Sequence, residues 1–338
     1  EENLSPEIDY KKLGFKSVLE IHQQLDTKKL FCNCPSFLRS DEPDFEVSRR
    51  LHAVAGESGE IDVAAKHEAI LDREFVYQVH KNNVCLIDLD EEPPHEINQG
   101  ALKIVLQIAL LLNCRIQPLT QIMRKTVIDG SNTAGFQRSV FIARDGYVET
   151  FQGRVGIAGI FLEEDAARII GKEKGKAVYR LDRLGIPLVE ISTEADIKNA
   201  EHAKETALKI GDILRSCKVK RGIGTIRQDI NISIKGHPRV EIKGFQEPKI
   251  MIKTVENEVN RQLEDIREND LKAEVRNALP DGKTEFSRPM PGSARMYPET
   301  DLPLLKISLD IINEAKKTLP KLRSEIEEEL KKEGLHEE

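Results

Sequence analysis

Between residues 226 and 243 polar and apolar positions alternate along the chain. Ile226, Ile230, Ile232 and Ile234 fall on one side, and Arg227, Asp229, Asn231 and Ser233 on the other. Successive side chains of a strand point to opposite faces, so this period of two predicts a strand with one face in a core. Gly236-His237-Pro238 supplies a turn. The second arm then sets Val240 and Ile242 against Glu241 and Lys243, making 221–247 a β-hairpin. A solvated strand face is usually rich in Lys, Glu and Thr. Arg, Asp, Asn and Ser in file, followed by Glu and Lys, resemble a surface that handles phosphate and metal.

The same reading predicts a strand over 17–25, where Val18, Glu20 and His22 share a face, with 31–34 as its antiparallel return. Further strands are expected over 82–89, 156–164, 177–182 and 188–193. Two more, 136–143 and 146–151, are joined at Asp145-Gly146 as a hairpin. The clearest helix is 98–112, with Ala101, Val105, Ile108, Ala109 and Leu112 on one stripe. Helical patterns also cover 59–78, 200–217 and 249–263. A charged helical segment, broken by Pro320, runs over 311–335. Residues 129–135 are too rich in turn formers for a regular element, and 281–303 reads as loop. Antiparallel strands with helices arriving singly predict an α+β fold: a large curved, mainly antiparallel sheet with helices on its outer face. Residues 1–303 form its main domain, and 304–338 begin a helical one.

Composition narrows the picture. The chain has 338 residues, 32% of them charged, and a net charge of −7, so any nucleic-acid contact must be a local basic patch. No apolar run approaches the roughly 20 residues of a membrane span. The N-terminus carries no signal or transit pattern and does not start with Met, which suggests a trimmed chain in the cytoplasm. Five cysteines at irregular spacing suit a reducing compartment. Cys32-Asn33-Cys34 could be half of a zinc site, but no second Cys pair follows, and unbridged, partly buried thiols are expected. There is no GxGxxG or GxxxxGK[ST] fingerprint and no visible Ser-His-Asp or Cys-His arrangement.

Several strands place acids where neither a core nor a bland surface requires them: Glu20 beside His22, Glu163, Glu164 and Asp165 at a strand end, Glu190 inside PLVEIS, and Asp229 on the hairpin. Carboxylates that converge repel one another unless a cation intervenes. Oxygen-rich clusters on a rigid sheet suit Mg²⁺. Arg124, Lys125, Arg180, Arg183, Arg227 and Lys243 could balance phosphate. Phosphoryl transfer is mainly positioning and charge neutralisation, and this inventory is what it needs.

The segments VLEIHQQLDTKKLFCNCP, DGSNTAGFQRS, FLEEDAARI, YRLDRLGIPLVEISTEADI, GIGTIRQDINISIKG, VEIKGFQE and SARMYPETDLP occur in this order. Together they closely resemble the catalytic subunit of tRNA-dependent amidotransferases, the archaeal E-type branch above all, over nearly the whole of residues 10–310. The resemblance implies a ligase that uses ATP and Mg²⁺ to phosphorylate the γ-carboxylate of Glu-tRNA(Gln). Ammonia then displaces phosphate to give Gln-tRNA(Gln). The ammonia would come through a channel from an asparaginase-like amidase partner, the D-type subunit, in a heterotetramer of two D-type and two E-type chains. It further implies Mg²⁺ at Glu20, His22, Glu190 and Asp229. Carboxylate activation falls to Glu190, Asp229 and Glu163 or Glu164, and contacts to phosphate or the acceptor end to Arg227, Lys243, Arg295 and Arg183. Residues 131–138 would line the same cradle. The E-type pattern usually carries a long insertion where this chain has 264–272, and continues past Glu338. An isolated chain of this form should keep the cradle and bind tRNA weakly. A catalytically silent scaffold is the competing reading, but it would be expected to lose acids such as Glu20, Glu190 and Asp229. A B-type enzyme acting also on Asp-tRNA(Asn) is disfavoured by the DGSNTAGFQRS loop.

Overall fold

The computed structural model describes residues 8–50, 74–173, 175–245, 248–290 and 296–332. Its strands begin with β1 (Lys16–Gln24), β2 (Phe45–Arg49), β3 (Glu74–Val79), β4 (Arg115–Ile116), β5 (Leu119–Thr120) and β6 (Ile122–Thr126). There follow β7 (Phe136–Arg144), β8 (Gly146–Thr150), β9 (Gly153–Glu164), β10 (Arg168–Glu173), β11 (Lys176–Arg180) and β12 (Pro187–Thr193). The last six are β13 (Ile226–Ser233), β14 (Val240–Phe245), β15 (Glu274–Ala278), β16 (Thr284–Pro289), β17 (Met296–Pro298) and β18 (Leu305–Lys306). Five helices are described: α1 (Gln99–Leu111), α2 (Ala200–Ser216), α3 (Pro248–Glu268), α4 (Leu309–Lys317) and α5 (Arg323–Lys332).

The fold is mixed α+β. A 12-stranded open sheet runs β16-β15-β14-β13-β1-β12-β9-β7-β6-β17, with β4 on β7 and β8 on β9. Among the described residues, only β14 and β15 pair in parallel within it. Its apolar side chains, among them Leu19, Ile21, Ile230, Ile232, Val189, Ile191 and Leu162, share one core with Ala101, Val105 and Ile108 of α1, Ala207 and Ile210 of α2, and Val255 and Val259 of α3. The alternating polar residues of those strands point away from this core. Helix starts are capped as their sequences suggest: Asn98 accepts from the Ala101 amide, and Asn199 from that of His202. A second, four-stranded sheet, β10-β11-β3-β2, has its own core around Phe75, Tyr77, Val79, Tyr179 and Leu181. The turn at Asp129-Gly130 docks on it. Tyr179 and Tyr77 donate to the two carbonyls at 2.6 and 2.7 Å. Gly130 is required there: its φ is +80°, and a Cβ would come within 2.2 Å of the Phe75 ring.

Several expected elements differ. Residues 31–34 are not a strand, because both edges of β1 are taken by β12 and β13. They fold back so that the Lys29 amide donates to the Cys34 carbonyl at 3.0 Å. Residues 82–89 form successive tight turns, with the Val84 amide on the His80 carbonyl and that of Leu89 on Leu86. The helical pattern of 59–78 lies largely outside the described residues, and its end, Glu74–Val79, is a strand. Asp145-Gly146 does not close a hairpin. Asp145 takes a left-handed conformation, φ 56°, and β8 turns to pair with β9. At this end the edges of β7 are taken by β4 and β9, and Gly146 packs against the end of α1, where a Cβ would meet the Cys114 sulfur at 2.2 Å. The stretch read as loop contains β16 and β17. They are exposed on most positions, so the alternation that marks a buried face is missing.

Candidate active site

Register builds the polar face in rows. His22 on β1 stands between Glu190 on β12 and Arg227 on β13, and Glu20 between Ser192 and Asp229. Glu163 on β9 lies beside Ser139 of β7. Two clusters result. Donor atoms of His22, Glu163 and Glu190 all lie within 4.8 Å of one another, and so do those of Glu20, Asp229 and Glu241. Five acids and imidazoles singled out in the sequence, on four strands, are thus brought together. Glu241 stands out in the sequence only as part of a polar face, though its place opposite Asn231 in the hairpin is a usable signal.

Packing this much charge together perturbs its titration. Burial and Glu190 push Glu163 up to about 7. Burial acts the same way on Glu190, but the hydrogen bond and charge of His22, 3.4 Å away, together with Lys125, bring it down to about 2. Burial disfavours the His22 imidazolium, yet Glu190 outweighs it and raises the net pKa. Glu20 is raised by burial and by Glu190 and Glu241. Lys125 on β6 is the cation facing both clusters: burial opposes its charge, and Glu163, Glu190, Glu20 and Glu241 restore it. A pair of carboxylates of which one is protonated and one ionised is a site that a cation can enter by displacing the proton.

Neighbouring side chains hold the acids in place. Ser139 and Gln137 donate to the two Glu163 oxygens at 2.8 and 3.3 Å. Asn231 donates to Glu20 at 3.2 Å, and the Gly244 amide to Asp229 at 3.2 Å. Two buried atoms of residues on this face, His22 Nδ1 and Asn231 Oδ1, have no hydrogen-bond partner among the described residues. Buried polar atoms are normally satisfied, so such orphans mark a place for a ligand atom or water. The all-oxygen set of Glu20, Asp229 and Glu241 fits Mg²⁺; in the other set the two carboxylates suit Mg²⁺ or Mn²⁺, and the imidazole adds a donor that favours softer divalent ions.

The other sequence candidates separate. Glu164 points away from Glu163, as neighbours on a strand do. It pairs with buried Arg138 at 3.1 Å and borders a small cavity with Lys29, Asp88, Asn132 and Thr133. Arg183 donates to the carbonyls of Ala166 and Ala167 at 2.8 and 3.0 Å, bracing the turn after β9. Arg227 is half exposed, 3.9 Å from Asp229, and Lys243 pairs with Glu241 at 2.9 Å, so both remain at the clusters. Arg295 lies outside the described residues. Of the loop 131–138, Gln137 serves the acids, while Thr133 instead donates to the Asp88 carbonyl at 2.6 Å.

Carboxylate clusters of this kind do not by themselves specify a reaction, and comparison with known proteins narrows it. The GatB/GatE catalytic domain matches residues 16–313. The chain belongs to the GatB/GatE family. It is 58% identical to the E-type subunit of the glutamyl-tRNA(Gln) amidotransferase of Methanocaldococcus jannaschii over 259 residues, 76% of this chain and 41% of that one. The Archaeoglobus fulgidus counterpart is 54% identical over 259 residues, 76% of this chain and 42% of the relative. With that of Methanothermobacter thermautotrophicus, identity is 36% over 454 residues, 96% of this chain and 73% of the relative. The chain thus spans about two fifths of the length of the first two.

This GatB/GatE domain also carries a cluster away from the acids. Cys32, Cys34, Cys85 and Asp88 bring three thiols and a carboxylate within 4.8 Å of one another. The cysteines are unbridged, as expected, but the closing ligands do exist: they come as Cys-x-x-Asp from the tight turns of 82–89. Hydrogen bonds from Cys32 and Cys34 hold the Cys85 thiol far below its usual range. Lys29, fully buried, donates to one Asp88 oxygen at 3.0 Å and fixes that carboxylate. Three thiols and one oxygen donor are a donor set for structural zinc. Metal analysis of the purified protein should find about one zinc per chain. Cys85→Ser should lower both the zinc content and the melting temperature. Equal zinc in both proteins would dissociate the cluster from the metal.

Proposed function

We propose that the chain is the catalytic part of an ATP- and Mg²⁺-dependent amidotransferase that converts Glu-tRNA(Gln) to Gln-tRNA(Gln). The names of its relatives suggest the substrate. The observation that carries the reading is the placement of two carboxylate clusters side by side on one rigid polar face, with Lys125 and Arg227 beside them. A carboxylate is a poor acyl donor. Moving the γ-phosphoryl group of ATP onto the glutamyl γ-carboxylate makes an acyl phosphate. Ammonia then attacks its carbonyl carbon, the C–O bond to phosphate breaks with the electron pair leaving on phosphate, and one nitrogen-bound proton passes to the released phosphate or to solvent. Bound Mg²⁺ would neutralise phosphate oxygens and align them for in-line transfer.

Within this reading the residues divide the work by position. Glu20, Asp229 and Glu241 would hold one cation, and Glu163, Glu190 and His22 would hold the other. Lys125 and the half-exposed Arg227 bring positive charge to the transferring phosphoryl group, and Lys243 supports them through Glu241. Ser139, Gln137 and Asn231 keep the carboxylates from reorienting as charge moves. Ammonia would be supplied by an asparaginase-like amidase, the D-type partner, with two D-type and two E-type chains in a cytoplasmic heterotetramer. Among the described residues no helix is long and apolar enough to cross a membrane.

The test supplies ammonium chloride in place of a partner amidase. With ATP and Mg²⁺, phosphate release should require tRNA(Gln) acylated with Glu, and the bound amino acid should become Gln. Phosphate release indifferent to acylation would refute the reading.

A further inference from the structure

The acidic rows end in two aromatic side chains. Phe161 on β9 lies opposite Glu190, and Phe141 on β7 lies opposite Phe161. Their ring centroids are 5.1 Å apart with the planes inclined by 42°. Both are partly exposed on the polar face, whereas Val140, Ile142, Ile160 and Leu162 of the same strands enter the core. Gly159 shapes the pair: a Cβ there would come within 3.0 Å of the Phe161 ring and 3.2 Å of the Phe141 ring. The rings therefore lean over the glycine backbone and lie low on the sheet. An aromatic ring covering a neighbouring glycine supports a strand, which gives one ring a structural reason. Two such rings bordering a carboxylate cluster also offer a shallow π surface beside the place where phosphate would be held.

We propose that Phe141 and Phe161 form a stacking platform for an adenine base, whose phosphates or glutamyl ester then run along the row toward Glu190, His22 and Arg227. The proposal rests on the amidotransferase reading, which brings two adenosines to this face: that of ATP and the terminal one of tRNA. The dimensions suit either. From β9 to β13 is three strand steps, about 14 Å at roughly 4.8 Å each, so a base on Phe161 sets its attached groups over both clusters. Stacking on a π face also needs no hydrogen-bond reader at the base edge.

The chain has no tryptophan, so 2-aminopurine can be excited with little background from the protein. Two probes separate the two adenosines: 2-aminopurine riboside triphosphate with Mg²⁺, and an RNA acceptor hairpin ending in C-C-2-aminopurine. Binding to the wild-type chain should quench at least one. Phe161→Leu keeps an apolar cover over Gly159 but removes the π face. It should weaken the quenched probe about 5- to 100-fold, and Phe161→Tyr should restore it. Weakening confined to the triphosphate assigns the platform to ATP, and weakening confined to the hairpin assigns it to the acceptor end. No quenching of either probe by the wild type would overturn the proposal. So would unchanged affinity and quenching in a folded Phe161→Leu protein, or in Phe141→Leu should the first variant fail to fold. The amidotransferase reading fails by a different result, namely no phosphate release that depends on Glu-tRNA(Gln).

Discussion

Glu190→Gln is expected to reduce amidation of Glu-tRNA(Gln) by about 10²- to 10³-fold, mainly in kcat, with the protein still folded. The substitution keeps the shape of the side chain and removes its charge. Glu190 is the member of its cluster held ionised, at about 2, by His22 and Lys125. The wild-type pair of Glu163 and Glu190 offers a cation one ionised carboxylate and one that gives up its proton near neutrality. A glutamine leaves only the second. Asp229→Asn should have a comparable effect through the other cluster, where Glu20 and Glu241 would remain. If the clusters act on the same phosphoryl group, their losses should not add, and the double variant should be little worse than either single one. Phosphate release and Gln-tRNA(Gln) formation measured together check this. Phosphorylation within a few-fold of wild type in either variant would remove the clusters from the chemistry.

What could be read from the sequence follows a physical divide. Elements with one buried face announced themselves. β1, the β13–β14 hairpin and helices α1, α2 and α3 appear where apolar spacing placed them. The same spacing turned Glu20, His22, Glu190 and Asp229 toward one side, so their polar face was legible before any pairing was known. Pairing itself was not, because it depends on which edges other strands have already taken. That is why 31–34 could not add to β1, and why Asp145-Gly146, a hairpin signal in isolation, passes β8 on to β9. Exposed strands such as β16 were invisible because neither face is apolar enough to set a period. The cysteine cluster was half visible. Cys85 and Asp88 are supplied by irregular turns some 50 residues away, joined to Cys32 and Cys34 by tertiary contact alone. The choice between Glu163 and Glu164 also needed coordinates, since alternation says that they diverge but not which partner each will find.

That partner is the basis of the second large effect. Arg138→Ala should destabilise the fold by about 3–5 kcal/mol, measured by urea denaturation. The Arg138 side chain is 7% exposed. It joins Glu164, at 3.1 Å and 7% exposed, to Glu299, at 2.9 Å and fully buried. Arg124 also reaches Glu299, at 3.0 and 2.6 Å, so Glu299 keeps a cation in the variant. Glu164 loses its ion pair: among the described residues the amide of residue 138, at 3.1 Å, is the one donor left to it. The loss is thus an uncompensated buried carboxylate rather than merely a missing contact, and that sets the magnitude. The guanidinium also lies 5.2 Å from the Phe136 ring centroid and 5.6 Å from that of Phe31, so truncation opens a gap as well. The two contributions can be separated. Arg138→Met fills space without charge and should recover little on its own. Arg138→Met combined with Glu164→Gln removes both charges and should recover most of the stability. Because Gln137 and Ser139 flank Arg138 and hold Glu163, the single variant should also lower amidation, and the double variant should regain part of it. An Arg138→Ala protein within about 1 kcal/mol of wild type would mean that water reaches Glu164, and that the ion pair is not what fixes this end of the sheet.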